Sequence, residues 1–255
     1  MLTVSDLYVQ LDKLVLADNM SFRLNKGEIN VIIGPNGTGK STLLKTLFGD
    51  IRAQGGTIQF DQNFLEHKKL DLWRRDIGYM PQDIRLDVGL TALEVVLLGR
   101  LDALSYRIDE SLMYEAINAL SELGLEHLAS QDVRTLSGGQ CQMILFAQAL
   151  MKKPAFLMLD EPVSALDLHF QQVLLSHLVK NTAHYQWIAL MVLHDLNLAA
   201  QYADNLIVLK EGKVVACGKP VDVLTKELIE DVYGVQAQVS YDAEGIPFVR
   251  TLRAA

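Results

Sequence analysis

Three short runs of the chain, residues 29–33, 155–159 and 187–193, are apolar throughout except at Asn30. None alternates in the way a sheet with one wet face does. Each is therefore expected to be a strand covered on both sides, as in a parallel sheet. The runs stop abruptly, at Gly34, at Asp160-Glu161 and at His194-Asp195. Open α/β sheets bind ligands beyond the carboxyl ends of their strands, so these three ends are expected to meet in one site.

Between residues 88 and 150 the pattern changes. Leu112, Met113, Ala116, Ile117, Leu120 and Leu123 recur at helical spacing, and no strand pattern stands out. This predicts a helical lobe, approximately residues 88–150, inserted into an α/β core. Strand patterns return at residues 206–209 and 213–216, which flank Glu211-Gly212 as a hairpin. The first 30 residues and residues 56–60 are expected to supply an antiparallel edge. Residues 1–255 are read as a single domain. No apolar run approaches the ~20 residues that a membrane-spanning helix needs, so any role in transport would require another chain.

The chemistry lies where the strands end. Gly34-Pro35-Asn36-Gly37-Thr38-Gly39-Lys40-Ser41-Thr42 has the form G-x-x-x-x-G-K-[ST]. Glycines allow backbone N–H groups to turn inward around a β-phosphate, and the helix that follows points its positive end at the same charge. Lys40 can reach the β- and γ-phosphates, and the Ser41 hydroxyl can ligand Mg²⁺. Asp160, at the end of an apolar strand, can also hold Mg²⁺, and the adjacent Glu161 is placed to polarise an attacking water. A second glycine-rich turn, Leu136-Ser137-Gly138-Gly139-Gln140, opens a helix through residues 142–151. Ser137 is a natural N-cap there. The turn is also a second anion cradle. One nucleotide rarely needs two such cradles, so this one is expected to serve the nucleotide of a partner chain.

In order and spacing, the phosphate loop, Gln82, residues 136–140, Asp160-Glu161, Ser164-Ala165-Leu166-Asp167 and His194 resemble the nucleotide-binding subunits of ABC transporters over essentially the whole chain. The resemblance implies a P-loop NTPase (RecA-like) α/β core with an antiparallel β edge and the inserted helical lobe. It implies ATP and Mg²⁺ as cofactors, and a homodimer that closes around two ATP. It further implies Gln82 as a sensor of Mg²⁺ and the attacking water, Asp167 in a loop crossing the dimer interface, and His194 as the switch histidine at the γ-phosphate. Family members usually carry an aromatic residue that stacks on adenine, about 16 positions before the Gly-Glu preceding the loop strand. That count falls on Leu11, with Tyr8 off register nearby. Cys141-Gln142-Met143 stands where arginines are common.

Residues 90–100, residues 194–204 and the tail Val232-Tyr233-Gly234-Val235 resemble importers of iron–siderophore complexes, haem and cobalamin. The implied assembly has two copies of this subunit, two of a polytopic permease, and an extracytoplasmic binding protein that acts indirectly. It would sit on the cytoplasmic face of the inner membrane, with the surface at residues 82–100 receiving a permease helix. A soluble ABC-type regulatory ATPase, an importer of another substrate and a small-molecule kinase are the competing readings. The formal net charge of −8 does not suggest a nucleic-acid partner. Cys141 and Cys217 form no close-spaced metal or redox pattern, and are expected to be reduced thiols.

Overall fold

The structure, a computed structural model, describes residues 1–82, 87, 89–103 and 109–252, with only the backbone described at 101–103. The strands are β1 (Leu2–Leu11), β2 (Leu14–Leu24), β3 (Glu28–Ile33), β4 (Gly55–Phe60), β5 (Asn63–Phe64), β6 (Ile77–Met80), β7 (Phe156–Asp160), β8 (Ile188–Val192), β9 (Asn205–Lys210), β10 (Lys213–Gly218), β11 (Ala237–Tyr241) and β12 (Pro247–Thr251). The helices are α1 (Lys40–Phe48), α2 (Leu70–Arg74), α3 (Ala92–Leu97), α4 (Glu110–Glu122), α5 (Gly138–Met151), α6 (Leu168–Tyr185), α7 (Leu196–Tyr202), α8 (Pro220–Val223) and α9 (Lys226–Tyr233).

The central sheet has the order β10-β9-β3-β8-β7-β6. It is parallel from β9 to β6, with β10 added as an antiparallel rim strand. Its strands alternate between two cores, which explains why they read as unbroken apolar runs. Val31, Ile33, Leu157, Leu159, Ala189 and Met191 face the helical side. Ile32, Phe156, Met158, Ile188, Leu190 and Val192 face the other. The second core is closed by Leu2, Val4, Leu7, Met20 and Phe22. These belong to a separate four-stranded antiparallel sheet of order β2-β1-β4-β5. It meets the rim of the central sheet where the Asp18 N–H donates to the Gly212 carbonyl at 2.7 Å.

Helices α3, α4 and α5 carry the segment predicted to be helical, and no strand occurs among its described residues. Its predicted first residue, Val88, lies outside the described residues, as do residues 83–86. The helices share the first core with the central sheet, so the lobe is not an independent unit. Within residues 90–98, Ala92, Val95, Val96 and Leu97 are buried and only Glu94 is exposed. Hydrophobic packing consumes four of these nine residues, leaving Glu94 and the half-buried Leu90, Thr91, Leu93 and Leu98 at the surface. The segment is tied to the stretch before residue 136 by backbone hydrogen bonds: Val133 N–H to Leu90 O at 3.0 Å and Ala92 N–H to Gln131 O at 2.9 Å. No helix among the described residues is long and apolar enough to cross a membrane.

Candidate nucleotide and dimer site

Strand β3 ends in the glycine-rich loop, and the loop is pressed against its neighbours at two points. At Gly34, with φ +149°, a Cβ would lie 2.3 Å from the Leu209 carbonyl oxygen. At Gly39, with φ +93°, it would lie 2.6 Å from the Leu16 carbonyl oxygen. No other residue fits there without moving backbone. Helices α3–α7 and α9 each have a side-chain N-cap. Helix α1 has Gly39 at that position, no side-chain cap bond, and no acidic residue in its first turn. Its first N–H groups are thus left for an anion, with no carboxylate competing.

The Lys40 ammonium is folded onto the loop, donating to the Gly34 and Pro35 carbonyls at 2.8 Å each. Burial lowers its pKa, and the carboxylates of Glu161 and Asp160 offset part of that. Thr38 Oγ1 donates to the Pro35 carbonyl at 2.9 Å, pinning the turn. Ser41 Oγ donates to Asp160 Oδ1 at 3.0 Å. Asp160 is 1% exposed, and its second oxygen, Oδ2, is buried without a partner. Burial raises its pKa, while the Ser41 bond pulls the other way. A buried carboxylate oxygen beside a serine hydroxyl, at a phosphate loop, fits Mg²⁺, which takes few protein oxygens and completes its shell with phosphate and water.

Glu161, next along, has φ +52°, a left-handed conformation that is costly for a residue with a Cβ and frequent at functional sites. Its Oε1 contacts Nε2 of His194, from the end of β8. Gln82 lies just beyond β6. Asn36, Gly37, Gly39, Lys40, Ser41, Thr42, Gln82, Glu161 and His194 line one cleft of about 520 Å³, together with Leu14 and Leu16. Gly34, Pro35 and Thr38 form the loop behind it.

The apolar wall of that cleft differs from the position counted in the sequence. Neither Leu11 nor Tyr8 lines it. Leu11 pairs with Leu14 across the β1–β2 turn. Tyr8 pairs with Gly55 on β4, and its hydroxyl donates to Gln10 Oε1 at 2.9 Å. Counting 16 residues back from Gly27 passes the turn at Asp12-Lys13 and lands on β1, whereas β2 is the strand beside the loop. Leu14 and Leu16 supply the apolar part of the cleft lining.

Ser137, Gly138, Gly139 and Gln140 do not line the cleft. They open α5 as a capping box: Gln140 N–H donates to Ser137 Oγ at 3.2 Å, and Ser137 N–H to Gln140 Oε1 at 2.9 Å. The Gly138 and Gly139 N–H groups are not used by the box. Asp167 caps α6, accepting from Phe170 N–H at 2.9 Å. Two residues that the sequence marked only as parts of longer stretches also reach the site. Gln142, 7% exposed, is hydrogen-bonded to the loop after Asp160. Tyr233 on α9 reaches the Gly34 backbone, and burial pushes its hydroxyl up to about 12, so that it stays protonated.

Residues 17–164 match the ABC transporter family. The hemin import ATP-binding protein HmuV of Photobacterium damselae subsp. damselae is 39% identical over 244 residues, covering 93% of this chain and 91% of the relative. This chain belongs to the ABC transporter family. The ferric enterobactin transport ATP-binding protein FepC of Escherichia coli K12 is 37% identical over 243 residues, covering 93% and 89%. Among solved structures, a metal-chelate type ABC transporter in an inward-facing conformation matches with TM-score 0.84 and 29% identity, covering 99% of this chain and 97% of that one. The chain is thus an ABC ATPase subunit, whose hydrolysis of ATP is coupled to transport.

Proposed function

We propose that this chain energises the import of an iron-containing chelate, such as haem or a ferric siderophore, as a homodimer at the cytoplasmic face of the membrane. It works there with two copies of a polytopic permease and, indirectly, an extracytoplasmic binding protein. The observation that carries the homodimer is the separation of the two anion cradles. The phosphate loop, Glu161 and His194 share one cleft, while residues 137–140 lie outside it. A second copy brings its Ser137 hydroxyl and the unused Gly138 and Gly139 N–H groups to the phosphates held by the first. The iron-chelate cargo is supported by the names of the relatives.

Within each site we assign the roles as follows, with the placement of the residues in their support. The loop N–H groups and the start of α1 hold the phosphates, and Lys40 leaves the loop carbonyls for the phosphate oxygens. Asp160 and Ser41 are the residues that would hold Mg²⁺, with Gln82 at the cleft edge; when bound, the ion would neutralise negative charge on the phosphate oxygens. Glu161 accepts the proton of the attacking water. His194 orients the Glu161 carboxylate and faces the γ-phosphate. ATP, bound more tightly by the closed dimer than by the open one, drives closure, and hydrolysis removes that preference.

Glu161→Gln keeps every phosphate contact and loses the base. Turnover is expected to fall by roughly 10²–10⁴-fold, and the variant should run as a dimer on a sizing column only with ATP. Turnover near the parent's would remove Glu161 from this role. For the cargo, cells lacking the gene should lose uptake of labelled haem or of a ferric siderophore. Unchanged uptake of both would overturn the iron-chelate assignment and leave the ATPase reading intact.

A further inference from the structure

Helix α5 starts at the cap that serves the partner's nucleotide, yet its second turn is fastened to this chain's own base. Gln142 Nε2 donates to the Glu161 carbonyl at 2.9 Å and lies 3.5 Å from Ser164 Oγ. Gln142 Oε1 accepts from Ala165 N–H at 3.2 Å. The amide is buried and both its nitrogen and its oxygen are used, so an apolar replacement would take a partner from the Ala165 N–H and leave the Glu161 carbonyl held by Ser164 alone. One turn earlier, α5 touches the same loop at Gly139, where a Cβ would lie 2.9 Å from the Ala165 carbonyl oxygen. Glu161 needs such support, because its φ of +52° is not one its side chain favours. Its carbonyl also accepts from Ser164 Oγ at 3.1 Å.

We infer that Gln142 is a positioning residue for Glu161. By clamping the backbone of residues 161–165, it holds the base in the left-handed conformation that aims its carboxylate at the cleft. Resting on the shared-site reading above, this means that the helix completing one nucleotide site holds the base of the other. The turn at residues 136–140, the signature turn, cannot then settle on the partner's phosphates without setting the geometry of its own chain's Glu161.

The first test is Gln142→Met, similar in length and without hydrogen-bonding groups. We expect kcat to fall by roughly 10–100-fold, the scale of a misplaced catalytic group, with KM for ATP nearly unchanged. Gln142→Glu should behave differently. Its carboxyl can donate to the Glu161 carbonyl only when protonated, so its kcat relative to the parent should rise as pH falls, while the ratio for Gln142→Met stays flat. A flat ratio for both variants, or a loss confined to KM, would overturn the proposal.

Heterodimers of the full chain separate positioning of the base from support of the signature. With Gln142→Met and Glu161→Gln in the same chain, the surviving base has its own Gln142, and one-site turnover should persist. With the two changes in different chains, the surviving base lacks its clamp, and turnover should fall. The reverse result, or equal loss in both arrangements, would show that Gln142 supports the signature turn or the fold in general. Should a single Glu161→Gln chain silence the whole dimer, the pH ratio of the homodimeric variants decides. Failure of the shared-site reading appears separately, as absence of an ATP-dependent dimer in the Glu161→Gln chain.

Discussion

At the scale of single residues, Asp160 shows function opposing stability. Its carboxylate is enclosed, one oxygen has no partner, and burial raises its pKa. For a carboxyl with a raised folded pKa, the ionised form is penalised in the folded state. The penalty is complete above the folded pKa and absent below the ordinary value near 3.9. Without nucleotide and metal, Asp160→Asn should therefore raise Tm at neutral pH by a few degrees, at about 2–4 °C per kcal/mol for a chain near this size. The gain should fade as pH falls into the acid range, and ATPase activity should be lost throughout. A parent that melts no lower than the variant at neutral pH would mean that its ionised carboxylate is already compensated. Leu14 makes a second residue-scale case. At 61% exposure on the cleft wall, it offers a base apolar contact but no π-face. Leu14→Tyr should tighten ATP binding by up to about tenfold, given base–aromatic stacking of ~1–3 kcal/mol. Leu11→Tyr, on the far side of the turn, should change little. Titration of both variants with a fluorescent ATP analogue checks the register, and a gain confined to Leu11→Tyr would reverse it.

At the scale of elements, the start of α5 combines two jobs that substitution can separate. The Ser137 hydroxyl accepts from Gln140 N–H, which is a cap, and its own proton remains for a phosphate oxygen. Ser137→Ala should lose the cap, about 1 kcal/mol in urea denaturation. Ser137→Asp should keep the cap, since aspartate accepts the same N–H, and so hold stability near the parent's. It would also set a negative charge against the partner's triphosphate. Like charges about 4 Å apart near a protein surface repel by roughly 4 kcal/mol, so turnover should drop on the order of a hundredfold or more. A stable and active Ser137→Asp protein would leave residues 137–140 as a cap and nothing else. The contrast with α1 is instructive. Gly39 gives that helix no cap, and its N–H groups are free for an anion within the same chain.

At the scale of the whole molecule, the proposed dimer takes the phosphate loop and base of each site from one copy and the turn at residues 136–140 from the other. Ser137→Arg chains and Lys40→Ala chains should each be nearly inactive alone. Mixed, they form heterodimers in which one site carries both lesions and the other carries neither, so ATPase activity should reappear. Persistent inactivity of a purified heterodimer, with each chain still folded, would count against sites shared between copies. Ser137→Arg should also leave ATP binding by the monomer largely intact, because residues 137–140 do not line the chain's own cleft.

Strand runs, the phosphate loop, the acidic pair at the end of β7 and the capped helix at Ser137 were legible from the chain alone. Each depends on neighbours within a few residues: glycines that permit a turn, a hydroxyl three positions from an N–H, apolar residues covered on both faces. The placement of Leu14 was not legible, because a fixed offset takes no account of the turn at Asp12-Lys13 that sends the count onto another strand. The role of Gln142 was hidden as well. A glutamine on a helix carries no pattern, and its partners at Glu161, Ser164 and Ala165 lie about twenty positions away. Nor could the sequence assign the run at residues 90–98, since burial against the helical core, rather than apolar composition, decides which side chains remain for another protein. Local chemistry is written in short-range spacing, whereas contacts between distant segments exist only once two cores have packed on the faces of the central sheet.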